Sequence, residues 1–457
     1  MAGSLSRFVA AGLLLALTGV PVASAQTPVF CEDGTHCATQ QACVGGICAD
    51  RSNTRVEMLF PLALARIVDE RTGKRTGKLV REVDRLLRWY LDFSGYFRLL
   101  PGDRNPAGAG LETLRPTTID FQSWWEAGAW AVVKGRVRAT AAGKLELELQ
   151  LWRVEEAATV PLKRTIQTLS GEEDLKEAVV SWVDEVTQRY GGGLPFLNHR
   201  IAFSYRVKKG GPKNIGVMDI DGGNQRFLTN DDSINMLPAW TADGRVAWTS
   251  FMEHNPDLWL DGKKFSGHPR MNTGVAFFKD GKRAAITLSK DDNPEIYLLH
   301  AGTGKIRKRL TRHPGIDTSP AWSTDGKRLA FVSDRATGRP QIFTMGSDGS
   351  NQVRARQVGG YNSSPDWSPV DDIIIYSAMA GGERYDLYAI HLAAGEVRRL
   401  TDAGSNEEPT FSRNGRFIVF SSTAGGSQAI WIMRANGSQK RRISRGEGIF
   451  MTPAWQR

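Results

Sequence analysis

Four cysteines, Cys31, Cys37, Cys43 and Cys48, fall in the stretch "CEDGTHCATQQACVGGIC" and are the only cysteines of the 457-residue chain. In an exported protein such clustering reads as two disulfides closing a small Gly-containing module, with three pairings open. Zinc is the competing reading, but the C-x2-C spacing usual for it is absent. Elsewhere, reactive types are sparse. Asp317, Glu407 and Glu408 carry oxygen atoms suited to a hard cation, yet their spacing demands none. His254, His268, His300, His313 and His391 share no ligand spacing, and no G-x-S-x-G nucleophile elbow occurs. Paired carboxylates at a glycosidase-like separation are not evident either. These residues predict no metal, no cofactor and no catalysis.

A different kind of chemistry is written in a recurring polar position. Asn235, Asn272, Asp317, Asn362 and Asn406 each stand three residues before a P-x-W/F motif or its variant, and Phe450 holds that place in the last copy. Two readings fit. Such side chains enter strands through Asx-turns, and in a closed ring they would also gather at one mouth as hydrogen-bonding groups for an inserted protein loop.

The elements that position them repeat. The motifs Pro238-Ala239-Trp240, Val275-Ala276-Phe277, Pro320-Ala321-Trp322, Pro365-Asp366-Trp367, Pro409-Thr410-Phe411 and Pro453-Ala454-Trp455 place their aromatics 37, 45, 45, 44 and 44 residues apart. After the aromatic comes a turn such as Asp243-Gly244, Asp280-Gly281, Asp325-Gly326 or Asn414-Gly415, supplying the positive φ of a tight hairpin. Apolar strands follow. Four antiparallel strands in 40–50 residues make one propeller blade. The first sheet, beginning at "HRIAFSY", lacks its opening strand, and the last copy, "TPAWQR", has only that strand. Pairing the two predicts a six-bladed β-propeller closed by its C-terminal strand, without free sheet edges. The recurrent aromatics are expected to fill the gaps between blades.

The rest of the chain reads as three further segments. Arg7, the apolar run Phe8 to Val20 and Ala23-Ser24-Ala25 predict a secretory signal peptide over 1–25, cut before Gln26. The run is too short to span a bilayer as a mature helix, and no later stretch is long enough. The Cys module occupies 26–50. Over 51–195, Leu79, Val83, Leu86, Leu87 and Tyr90 share one helical face ended by Gly95, and "KLELELQLWRV" alternates as a strand paired with Ala131 to Val137. Ser170 and Glu173 fit a capping box that opens a second helix. The fold class is therefore mainly β with a small α/β domain, the propeller occupying 196–457. The formal net charge of +10 comes with no nucleic-acid-binding motif and excludes no solvated basic surface.

The blade "SPAWSTDGKRLAFVSDR…QIF", the stretch "FQSWWEAGAWAVVKGRV" with "GKLELELQLWRV", and the junction "LPFLNHRIAFSY" together resemble the TolB family of periplasmic proteins. The resemblance covers about Val56 to Arg457. It implies a non-catalytic component of the Tol–Pal system of the Gram-negative envelope, located in the periplasm and acting as a monomer. Its implied partners are the peptidoglycan-associated lipoprotein Pal, held at one mouth of the propeller, and the inner-membrane protein TolA. Met271, Asn272, Gly274, Asp317 and Thr318 are the positions that match the family's Pal-facing loops, with Asn235, Asn362, Asn406 and Phe450 as their equivalents in other blades. In the family a short extended segment at the mature N-terminus meets TolA. Here the Cys module stands in its place, and Arg55 to Ile67, "RVEMLFPLALARI", is the candidate substitute. An orphan propeller taking another envelope peptide or glycan is the alternative, with a hydrolase or lyase behind it.

Overall fold

The computed structural model describes residues 41–44, 47–50, 59–70, 77–107, 113–142, 144–163, 165–171, 174–191, 195–379 and 382–457. The signal peptide, Cys31, Cys37 and Glu173 lie outside these. Of the Cys module, the described part is a hairpin of Gln41–Val44 against Ile47–Asp50, with Cys43 opposite Cys48 in register. It belongs to a first compact unit, separate from residues 59–457.

The second unit begins with the α/β domain. Its central strand Ala131–Ala139 pairs antiparallel with Leu145–Arg153 and parallel with Phe60–Leu64. Phe60, Leu62, Ala63, Leu64 and Ile67 are buried. The stretch Arg55 to Ile67 is thus, from Phe60 on, sheet interior and not an extended segment open to a partner. Its unbroken apolar run is what a strand covered on both faces requires. Helix α1 (Lys78–Ser94) buries the predicted stripe and ends at Gly95, whose φ of 77° is the left-handed turn glycine takes without strain. A short α2 (Phe121–Glu126) follows, capped by Asp120. Helix α3 (Leu175–Gly191) starts later than the expected capping box, and the carboxylate reaching back to the Ser170 N–H is Asp174 Oδ2, at 2.8 Å. Among the described residues no helix is long and apolar enough to cross a membrane.

The remaining strands form six four-stranded antiparallel sheets around a channel. Blade 1 takes its innermost strand, Ile449–Trp455, from the C-terminus; it pairs with Arg200–Arg206 in the register Ile201↔Trp455, Ala202↔Ala454 and Tyr205↔Phe450. The innermost strands of blades 2 to 6 are Asn235–Trp240, Asn272–Phe277, Asp317–Trp322, Tyr361–Trp367 and Asn406–Phe411. The recurrent aromatics lie between blades as expected. Trp367 and Phe411 are buried, and the Trp240 and Trp322 indoles donate to Ala454 O and Ala276 O of the neighbouring blade, both at 2.9 Å.

The α/β domain sits on the rim where the innermost strands end. Phe93 of α1 stacks on Phe417 at 4.4 Å, Phe196 joins them at 5.4 Å, and Lys176 of α3 bridges Asp219 and Asp221 of blade 1. The joint itself is held by Asp184, whose buried carboxylate accepts from the N–H groups of Phe196, Leu197 and Asn198 at 3.1, 3.1 and 3.3 Å. Asp184→Ala leaves three donors without that acceptor and is expected to cost about 3 kcal/mol. Denaturant unfolding checks this, and a shift below 1 kcal/mol would show the joint held by aromatic packing alone.

Candidate functional site

The channel wall is shaped by one backbone device used six times. In blades 2 to 6 the pairing of innermost to second strand slips by a bulge, at Met236/Ala239, Thr273/Ala276, Thr318/Ala321, Ser363/Asp366 and Glu407/Thr410. Blade 1 has its irregularity between Ala202 and Ser204. The residue before each motif takes a positive φ: Leu237 52°, Gly274 61°, Ser319 54°, Ser364 50°, Glu408 57° and Thr452 46°. A left-handed residue without glycine costs about 1–2 kcal/mol, so its recurrence marks a constraint. The bulge also explains the proline, whose missing N–H costs nothing where the ladder is already interrupted. The third blade meets the same demand with Gly274 and carries Val275 in place of proline. The freed N–H groups find acceptors in the preceding blade. Ser319 N donates to Thr287 Oγ1 at 3.2 Å, Glu408 N to Ser377 Oγ at 3.1 Å, and Thr452 N to Glu408 Oε2 at 2.7 Å.

Beyond the bulge, alternate residues face inward and form two stacked rings. The first holds Leu237, Gly274, Ser319, Ser364, Glu408 and Thr452; the second holds Ala239, Ala276, Ala321, Asp366, Thr410 and Ala454. Small residues dominate, which leaves a cavity of about 460 Å³ along the axis. Each ring contains one carboxylate. Asp366 carries the guanidinium of Arg457 and accepts from Phe411 N at 2.8 Å. Glu408 has only neutral donors, and burial pushes its carboxyl up to about 7, opposed by the Thr452 N–H and raised further by Glu407.

The polar positions singled out from sequence lie one step away from this wall. Asn235, Asn272, Asp317 and Asn362 are 0% exposed and Asn406 1%. Each side chain is engaged by its own blade, by the preceding blade or by the segment joining the two: Asn235 with Asp231, Asn272 with Ser266 and the His268 carbonyl, Asp317 with Arg335, Asn362 with Gln357, and Asn406 with Ser422 and the Ala403 carbonyl. Phe450 is equally buried, against Phe203 and Tyr205. These six brace the loops before the strands, which corrects the expectation that their side chains ring the mouth. The half-buried residues are the next two in each strand: Met236 and Leu237, Thr273 and Gly274, Thr318 and Ser319, Ser363 and Ser364, Glu407 and Glu408. Met271 is also half-buried, so Met271, Gly274 and Thr318 remain at the mouth. A signal was present in the sequence: the braced position is nearly constant from blade to blade, whereas the two positions after it vary. Asp317 stands in blade 4 and Glu407 and Glu408 in blade 6, and among the described residues no cluster of three or more metal-ligating side chains forms.

Around this mouth the loops expose apolar surface. Of the twelve large hydrophobic residues exposed among the described residues, Val207, Ile234, Phe251, Met252, Ile316, Val358 and Tyr361 all lie on the face where the innermost strands begin. The other five are scattered: Trp125 and Ile166 in the α/β domain, Phe227 and Val353 on outermost strands, and Val370 on the opposite face. Exposed apolar residues gathered on one face are characteristic of interaction sites.

Comparison with known proteins agrees with this architecture. The family profile "TolB beta propeller domain" matches residues 188–457, and "TolB amino-terminal domain" matches residues 54–160. The Tol-Pal system protein TolB of Desulfosudis oleivorans is 36% identical over 243 residues, 50% of this chain and 51% of that protein. The corresponding protein of Anaeromyxobacter dehalogenans is 34% identical over 255 residues, 54% of this chain and 56% of that protein. The chain therefore spans about half the length of the curated relatives it matches. The crystal structure of TolB from Acinetobacter baumannii matches with a TM-score of 0.72 at 24% identity, covering 87% of this chain and 96% of that one, a likeness of fold. With the propeller profile covering more than half of its length and the amino-terminal profile preceding it, this chain belongs to the TolB family.

Proposed function

We propose that this protein is a non-catalytic, periplasmic binding component of a Tol–Pal system, and that it holds a Pal-like lipoprotein at the mouth where the innermost strands begin. The observation that carries the reading is the apolar crown around that mouth, on the face opposite the one the α/β domain occupies. A protein partner needs a desolvated apolar centre, and the varied residues just inside the crown offer the specificity. The family resemblance adds a TolA-like inner-membrane protein as the second partner.

The test is capture of the lipoprotein's soluble domain by the mature protein, both from the same envelope. Thr318, half-buried at the mouth, is the position to block. Thr318→Tyr is expected to weaken binding at least about tenfold, or roughly 1.4 kcal/mol, with the melting temperature unchanged. Equal losses in binding and melting would make Thr318 a packing residue. Failure of the intact protein to bind, with retention of another envelope peptide or a glycan instead, would replace the proposed partner.

A further inference from the structure

The carboxylates buried in the propeller follow a rule. Asp221 is paired with Lys176, Asp257 with Lys264, Glu295 with Arg309, Asp317 with Arg335 and Asp386 with Arg399. Asp366 in the second channel ring has Arg457. Each deep negative charge has a cation from the same chain, as burial of a charge demands. Glu408, half-buried in the channel wall, has none. It faces the channel, its Oε2 accepts from Thr452 N at 2.7 Å and from Ser421 Oγ at 3.4 Å, and among the described residues no cation lies within ion-pairing distance. Glu407 beside it is likewise without a cation among the described residues, and its carboxylate accepts a hydrogen bond from Ser405 Oγ. Across the ring stand Gly274 and Ser319, and beside it Ser364, small enough to leave a slot for an extended side chain.

We infer that the partner segment seated in this mouth carries a lysine or arginine that reaches Glu408, flanked by apolar residues that land on the crown. The inference rests on the proposed binding of a protein at this face and specifies its chemistry. The crown supplies the desolvated rim, and the unpaired acidic pair at its base supplies the charge complementarity. The charged groups facing Glu408 are Glu407 on its own strand and Lys213 from the blade 1 loop, with Arg206 next to Lys213.

Binding then depends on pH with a defined sign. A basic side chain selects the ionised carboxylate. With the Glu408 carboxyl held up to about 7 by burial, about a tenth is ionised at pH 6 and about nine tenths at pH 8, and apparent affinity follows the competent fraction. Calorimetric titration of the Pal-like soluble domain into the full protein is expected to show affinity rising about tenfold from pH 6 to pH 8. Glu408→Gln keeps an acceptor for Thr452 N. It is expected to bind at least about tenfold more weakly at pH 8 and to lose the pH slope. A flat wild-type profile, or a Glu408→Gln protein that binds as the wild type does at pH 8, overturns the pairing while leaving the docking face in place. Absence of binding by the wild type at every pH overturns the partner reading, and the pairing with it.

Discussion

Removal of residues 451–457 is expected to abolish the cooperative thermal transition of the propeller. The strand Ile449–Trp455 is the innermost strand of blade 1 and also packs against blades 2 and 6. The deletion removes Met451 and Trp455 from the core, exposes the edge of Arg200–Arg206, and takes away the carbonyl of Ala454 that Trp240 donates to. It also removes Arg457 from Asp366, leaving a carboxylate in the channel wall without its cation. Two large buried side chains contribute about 1.5–3 kcal/mol each, and an unpaired buried charge costs about 3–5 kcal/mol more. Together these approach the whole stability of an ordinary domain, about 5–15 kcal/mol. Calorimetry of the truncated protein decides the point. A transition at the wild-type temperature would mean that the ring closes without this strand.

Trp367→Ala is the second large effect expected, and it discriminates core from surface at constant residue type. Trp367 is 1% exposed between blades 4 and 5, packed with Ala321, Ala330 and Ile342, and the Arg328 guanidinium lies 4.8 Å from its ring. Truncation leaves a cavity that the paired strands on both sides resist closing, at a cost of about 3–5 kcal/mol. For a domain of this size that corresponds to a fall in melting temperature of roughly 6–20 °C. Trp125, 46% exposed on α2, is the control, and Trp125→Ala should shift the melting temperature little. Similar shifts for the two variants would contradict the assignment of the recurrent aromatic to inter-blade packing.

Much of this molecule is legible in its sequence because the signals are local. The Asp-Gly and Asn-Gly turns, the apolar strands and the repeat length specify a blade without reference to any other blade. The stripe Leu79, Val83, Leu86 and Leu87 specifies α1 in the same way, and the two incomplete copies at the repeat's ends specify closure. Where sequence reasoning went astray, a non-local choice intervened. Phe60–Leu64 became a central strand because Phe97–Leu99 and Ala131–Ala139 flank it on both sides. Asn235, Asn272, Asp317, Asn362 and Asn406 were taken inward by donors and acceptors of the preceding blades, the connecting segments and, for Asp317 and Asn406, their own blades.

The mouth of the channel was decided only in three dimensions. Strict alternation assigns every second residue of a strand to one face, and the bulge at Leu237, Gly274, Ser319, Ser364, Glu408 and Thr452 shifts that assignment within a single strand. The bulge in turn depends on partners from the neighbouring blade, such as Thr287 for Ser319 and Ser377 for Glu408, which are in reach only once the ring is assembled. The sequence by itself thus determined the blade, its sixfold repetition and its closing strand, all of which arise from short-range turn and strand chemistry. The tertiary structure decided which side chains face the channel and left Glu408 without a cation, because both follow from contacts between blades that no stretch of one blade contains.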